Sequence, residues 1–173
     1  MYMLELLLML QLLTPPVVKN YLPSAGKRDT TQNYIVIHND GGNFGASFTR
    51  RVLRIRGLAY HYFISRDGTI HQFMDLKNIA EHAGASKWNG LTGWNKFSIG
   101  ICLQGRDNMT YTNQQYESLK KLVTYINIRY PDSKEKPILT HAIIAYPRFR
   151  KSDPGINFDF WRIHHDTTHI LGR

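Results

Sequence analysis

His38, His141 and Asp153 are the residues of this 173-residue chain whose types and settings most readily do chemistry. Each histidine closes a short apolar run, Tyr34-Ile35-Val36-Ile37-His38 and Ile138-Leu139-Thr140-His141, so each is expected at the mouth of a buried strand. Asp153 lies in Lys151-Ser152-Asp153-Pro154-Gly155, a loop whose proline and glycine interrupt regular structure. A strand-end histidine taken alone is usually only packed or exposed. Two imidazoles and a carboxylate together make a three-ligand set for zinc. That leaves a fourth position for water, as in catalytic rather than structural sites.

The elements that would position these residues can be read along the chain. Residues 14–32 are rich in Pro, Ser, Gly and charge and read as a linker into a domain covering 33–173. A first core strand at 34–38 is followed by a glycine-rich loop, and Ser47 can cap a short helix that Gly57 stops. Runs at 59–65 and 69–73 flank Arg66-Asp67-Gly68, whose Asp-Gly step is a hairpin turn signal. Residues 76–84 read as a short helix or turn. The polar stretch with Trp88, Asn89, Gly90 and Trp94 has no periodicity and reads as a surface loop. A strand at 97–103 precedes the clearest helix, which starts at Thr112 with Gln115 completing a capping box. Tyr116, Leu119, Leu122, Val123, Ile126 and Tyr130 give it one apolar stripe, and Pro131 stops it. A strand at 137–141 and a terminal helix over 158–170 complete the reading. Strands and helices interleave around one hairpin, which predicts an α/β (α+β) domain with a central mixed β-sheet flanked by helices.

A net charge of +9 points to polyanionic partners: nucleic acid, anionic membrane or bacterial cell wall. Arg50, Arg51, Arg54 and Arg56 cluster, either as a contact or as a solvated helix face. One cysteine, Cys102, excludes an intramolecular disulfide and a cysteine-rich zinc finger. Residues 1–13 are almost wholly apolar, shorter than the ~20 residues of a membrane span. With no basic residue before them and no small-residue cleavage site after, they make a poor signal peptide. They remain open to three readings: a helix docked on the domain or on a second subunit, an interfacial or weak export segment touching membrane, or a disordered extension.

In their order along the chain, these motifs resemble the zinc-dependent N-acetylmuramoyl-L-alanine amidases, which share a fold with peptidoglycan recognition proteins. The resemblance runs from about Tyr34 to Trp161. It rests on Val36-Ile37-His38-Asn39, the hairpin from Tyr60 through Gly68, Glu81-His82-Ala83-Gly84, Phe97-Ser98-Ile99-Gly100-Ile101, and Thr140-His141 with Lys151-Ser152-Asp153-Pro154-Gly155. It implies a zinc ion held by His38, His141 and Asp153. It further implies Lys151 as the group that meets the oxyanion, Tyr60 beside the attacking water, and His82, with Asn39 and Trp88, in a muropeptide groove. Cytosolic recycling members of the family carry a glutamate general base where this chain has Cys102. That departure shifts the expected acid–base work toward Tyr60 and makes a lytic, phage endolysin-type wall amidase the leading reading. A recycling amidase acting on soluble anhydromuropeptides is the alternative.

Such an enzyme would act on peptidoglycan in the periplasm or outside the cell, or accumulate in a host cytoplasm before release if phage-encoded. Its basic surface could contact anionic wall polymers or lipopolysaccharide. A non-catalytic peptidoglycan-binding protein is a further class, disfavoured because all three ligand residues are present. Nucleic-acid binding has only the charge behind it and no motif, so no nucleic-acid partner is expected. Cys102 reads as a small buried strand residue. His61 and His71 stay outside the ligand set, and His164, His165 and His169 read as a solvated tail.

Overall fold

The computed structural model describes residues 14–31, 34–130 and 138–164, apart from the side chain of His164. The apolar segment 1–13 and the histidines at 165 and 169 lie outside the described residues.

The strands are β1 (Val17–Lys19), β2 (Tyr34–Asn39), β3 (Tyr62–Ile64), β4 (Ile70–Gln72), β5 (Lys87–Trp88), β6 (Leu91–Thr92), β7 (Ser98–Leu103) and β8 (Ile138–Thr140). The helices are α1 (Ala46–Ile55), α2 (Asn113–Arg129), α3 (His141–Ile144) and α4 (Trp161–His164). A 6-stranded sheet runs β1-β4-β3-β7-β2-β8, and β5 and β6 form a separate 2-stranded hairpin. Only the β3–β4 hairpin is antiparallel within the large sheet; β2, β7, β3 and β8 are parallel neighbours. The mixed sheet with flanking helices is as expected.

Strand alternation sorts core from site. Ile35 and Ile37 of β2, with Ile99, Ile101 and Leu103 of β7, pack in one apolar cluster under α2. The intervening Val36 and Cys102 belong to clusters on the opposite face, so His38 and Cys102, partners in register, point away from α2. Continuous burial along β2 and β7 is what a parallel strand covered on both faces requires.

Helix α2 begins where Thr112 accepts from the Gln115 backbone N–H while the Gln115 side chain accepts from the Thr112 N–H. Its Tyr116, Leu119, Leu122, Val123 and Ile126 are buried against the sheet. Each of the large aliphatic ones contributes roughly 1.5–3 kcal/mol by leaving water.

Three local expectations are corrected. Residues 14–31 are not a free linker: β1 adds an edge strand along β4, and Leu22 is buried. The buried Arg28 donates to the carbonyls of Leu76, Asp29 and Phe97, tying this stretch to the domain. Helix α1 is preceded by Gly45, without a side-chain cap. The nearby turn is instead organised by Asp40, which accepts from the N–H groups of Asn43 and Phe44 and from the Thr49 hydroxyl. The expected surface loop at 88–94 contains the β5–β6 hairpin and ends on Trp94, which is 0% exposed in a 3-10 turn (Trp94–Lys96). Trp94 packs on Tyr34, Phe97 and Trp88. Residues 76–84 form no helix, and of the expected terminal helix only α4 falls among the described residues. Among the described residues no helix is long and apolar enough to cross a membrane.

Candidate metal centre

The C-terminal ends of parallel strands β2 and β8 deliver the two histidines side by side. His38 is the penultimate residue of β2, and His141 opens α3 directly after β8, whose Thr140 caps that helix through the Ile143 N–H. The chain then returns in a loop that brings Asp153 opposite them, with the Ala142 N–H donating to the Asp153 carbonyl. His38 Nδ1, His141 Nδ1 and Asp153 Oδ2 are each 3.1 Å from the other two.

The hydrogen bonds behind these rings determine where their protons lie. His141 Nε2 is 3.0 Å from the Ala83 carbonyl, which only accepts, so Nε2 carries the proton and Nδ1 a lone pair. The His38 tautomer is set by a chain of hydrogen bonds through His82 and Ser98. The Ser98 hydroxyl donates to the Trp94 carbonyl at 2.5 Å, so Ser98 Oγ accepts from His82 Nε2 at 3.2 Å. His82 Nδ1 is then bare and accepts from His38 Nε2 at 2.9 Å, leaving His38 Nδ1 a lone pair as well. Burial supports these neutral forms: it pulls the His38 pKa down to about 4 and that of His82 well below its ordinary value, with neighbouring histidines adding to both shifts. Burial alone disfavours charge on Asp153, and a proton on either facing imidazole nitrogen would favour it; in the tautomers just derived the carboxylate has no such donor.

Two imidazole lone pairs and a carboxylate oxygen thus face one another with no proton between them. That arrangement is repulsive without a cation and matches the donor set of a divalent metal. The three residues expected as ligands are the ones brought together.

The loop carrying Asp153 is pinned. The Asn39 amide donates to Asp107 Oδ1 at 2.7 Å and to the Pro154 carbonyl at 3.2 Å, and the Tyr111 hydroxyl donates to the same carbonyl at 2.6 Å. Ser152 donates to the other Asp107 carboxylate oxygen. Gly155, at φ +92°, lies so close to the Asp107 backbone that a Cβ would be 2.1 Å from its carbonyl oxygen.

His141 and Asp153 line an open cavity of about 720 Å³, walled by Tyr60, Phe44, Leu58, Arg56 and Arg106, with Lys151 beside Asp153 and His38 buried behind them. Lys151 is exposed. The Tyr60 ring lies 5.0 Å from that of His38 and packs against the cluster that holds the buried Cys102, whose thiol donates to the Leu103 carbonyl. Burial, reinforced by nearby acidic groups, pushes the Tyr60 and Cys102 pKa values up, so both stay protonated at neutral pH. Tyr60 is therefore equipped to donate or orient rather than to act as a base.

The residues expected to hold substrate are placed differently. His82 and Asn39 edge the cavity, but both are buried and their polar atoms are engaged inside the protein, under His38 and in the Asp153 loop. Asn39 Oδ1, for its part, accepts from the Gly41 N–H. Trp88 does not line the cavity; its ring packs edge-on against Trp94. His61 is fully buried, accepting from the Gly100 N–H and donating to the Asn78 carbonyl, outside the ligand set as expected. The sequence assigns no site role to Asn95, Ser98, Gly100 or Arg150, although Ser98 and Gly100 lie in one of the motifs that carry the resemblance. Of these only Gly100 carries a local signal, a glycine inside a strand that marks a close approach.

The fold thus sets three residues able to hold a metal beside an open cavity. The profile described as N-acetylmuramoyl-L-alanine amidase matches residues 28–156, and the chain belongs to that family. Over 153 residues it is 34% identical to the 1,6-anhydro-N-acetylmuramyl-L-alanine amidase AmpD of Escherichia coli, a match covering 78% of this chain and 81% of that one. A shorter match, 30% over 82 residues, links it to the endolysin of Enterobacteria phage T3, covering 44% and 49%. Among solved structures, an AmpD derivative superposes with a TM-score of 0.68 at 30% identity, covering 84% of this chain and 92% of the other. The Escherichia coli amidase AmiD, in complex with anhydro-N-acetylmuramic acid-L-Ala-D-gamma-Glu-L-Lys, gives 0.68 at 25%, covering 82% and 59%. The Drosophila peptidoglycan recognition protein SD shares the fold, with a TM-score of 0.63 at 16% identity and coverage of 82% and 89%. The chain is an N-acetylmuramoyl-L-alanine amidase.

Proposed function

We propose that this chain is a zinc-dependent amidase that cleaves between N-acetylmuramic acid and L-alanine in soluble anhydromuropeptides. The match to AmpD across most of both chains carries this choice; the endolysin match reaches less than half of either. The lytic reading favoured by sequence becomes the second one. It keeps one specific support: Cys102, packed near Tyr60, occupies the position where the resemblance puts a glutamate in recycling enzymes.

In this reading His38, His141 and Asp153 hold the metal. Zinc, when bound, supplies a Lewis acid that polarises the amide carbonyl and acidifies water. The remaining work falls to the chain. The Lys151 ammonium meets the negative charge that develops on the carbonyl oxygen. The Tyr60 phenol orients the attacking water, and the departing nitrogen takes its proton from that phenol or from a water it holds. The exposed Arg51, Arg54 and Arg56 supply positive charge near the groove for anionic substrate or wall polymers; Arg50 instead donates to the Asn20 carbonyl.

The test is a comparison of turnover on a purified anhydromuramyl peptide and on intact sacculi, with the new ends identified by mass spectrometry. Faster release of L-alanine amines from the soluble substrate supports recycling. Preferential solubilisation of sacculi would favour the lytic reading, and cleavage of another bond would defeat both.

A further inference from the structure

We propose that Asn95 is the positioning residue of the metal centre, fixing through one side-chain oxygen the segment 81–83 that orients both metal-binding histidines. The proposal rests on the metal reading above and concerns what holds the ligands rather than the ligands themselves.

The two histidines come from different strands, yet their outer hydrogen bonds end on adjacent residues. His38 Nε2–H donates to the side chain of His82, and His141 Nε2–H donates to the main-chain carbonyl of Ala83. Whatever places residues 82 and 83 therefore sets the tautomer and rotation of both rings at once. Asn95 Oδ1 accepts the N–H of His82 at 3.0 Å and that of Ala83 at 2.7 Å. Its Nδ2 donates to Glu81 Oε2 at 2.5 Å, so one amide grips three successive residues.

The grip has a rigid base. Asn95 lies in the 3-10 turn directly after the buried Trp94 and two residues before the buried Phe97. The Trp94 indole N–H donates to the Leu91 carbonyl and its backbone N–H donates to Ser86 Oγ, so both are fixed. The Trp94 carbonyl also terminates the His38–His82–Ser98 chain, so the same turn closes the network at both ends. Arg150 adds a second donor to the Ala83 carbonyl at 2.9 Å, which leaves the His141 N–H a carbonyl already fixed in direction.

Outer partners of metal-bound histidines, when removed, typically lower metal affinity by about 10–100-fold. The test measures zinc affinity of the full chain by competition with a chromophoric chelator. Asn95→Ala should weaken binding within that range while the folded protein persists. A polarity swap, Asn95→Asp with Glu81→Gln, keeps the oxygen acceptor for both N–H groups and restores a donor–acceptor pair between positions 81 and 95. It should recover most of the lost affinity. A merely structural role predicts a lower melting temperature with unchanged zinc affinity, and that result would overturn the proposal.

Nitrogen-15 chemical shifts of the metal-free wild-type chain give a readout that needs no variant. At neutral pH His38 and His141 should both carry their proton on Nε2. Absence of the Nε2 proton from either ring would overturn the scaffold even if every variant misfolds, whereas an added proton on the inner Nδ1 side of the metal-free chain leaves the Nε2–H donors in place. A wild-type chain that binds no zinc but shows Nε2–H on both rings would instead sink the metal reading and leave the hydrogen-bond scaffold standing.

Discussion

The ring of His82 fills the space that a side chain at Gly100 would need: a Cβ there would sit 2.6 Å from His82 Cγ and 2.8 Å from its Nδ1. Strand β7 can pass beneath the metal centre only because position 100 is bare. Gly100→Ala should force the ring away from His38 at a cost of about 1–3 kcal/mol, the usual scale of overpacking. Urea unfolding and zinc titration of this variant check the claim together. Wild-type values in both would mean that the ring has room to move.

The cluster itself gives the plainest expectation. His141→Ala removes one of three converging donors and leaves the other two too few to hold an open zinc site. Metal content and amidase activity should vanish together, and a chelator should abolish wild-type activity until zinc is returned. Hydrolysis by metal-free His141→Ala protein would refute the mechanism.

Lys151 is exposed on the cavity wall and next but one to Asp153, and in the proposed mechanism its ammonium meets the charge that develops on the reacting carbonyl. Lys151→Ala should keep zinc and lower kcat on the order of 10²–10³-fold, the range for loss of one oxyanion donor. Steady-state kinetics decide: an effect confined to KM would place the lysine in ground-state binding instead.

How much of this was legible beforehand follows from the range of the interactions. His38 and His141 announce themselves because a strand-end residue is defined by its own neighbours in sequence. The capping box of α2 is equally local. What escaped depends on direction at a distance. Asn39 and His82 have types that suit a substrate groove, and nothing in the sequence reveals that their polar atoms turn inward to Pro154 and His38. Trp94 lies in a polar stretch without periodicity, yet it is wholly buried because the β5–β6 hairpin folds it back onto Tyr34 and Phe97. Strand β1 is too short to carry a pattern, and only its pairing with β4 identifies it.

Tyr60 and Cys102 mark where this chain parts from the recycling pattern. Burial raises both pKa values, which keeps the phenol a donor and the thiol an inert filler. Tyr60→Phe should cost about 10²-fold or more in kcat, within the range of acid–base contributions, with zinc content unchanged. Cys102→Ser should be close to silent. The reverse outcome, a silent Tyr60→Phe and a dead Cys102→Ser, would bring the thiol into the chemistry.

His61 provides a pH test that is independent of the metal. It is fully buried, and its Nδ1 accepts from the Gly100 N–H, so the folded chain needs it neutral. Burial lowers its pKa from 6.5 to about 3. Below pH 6.5 the unfolded chain takes up a proton at this site and the folded chain does not. Its contribution to stability is therefore complete above pH 6.5 and drains away as pH falls toward 3, by about 1.4 kcal/mol per pH unit. Urea unfolding of the metal-free protein at pH 7, 6 and 5 should show stability falling across this window. His61→Gln retains an acceptor for the Gly100 N–H without a titrating ring, and should flatten part of that slope. An equally steep slope in the variant would show that the acid sensitivity arises elsewhere.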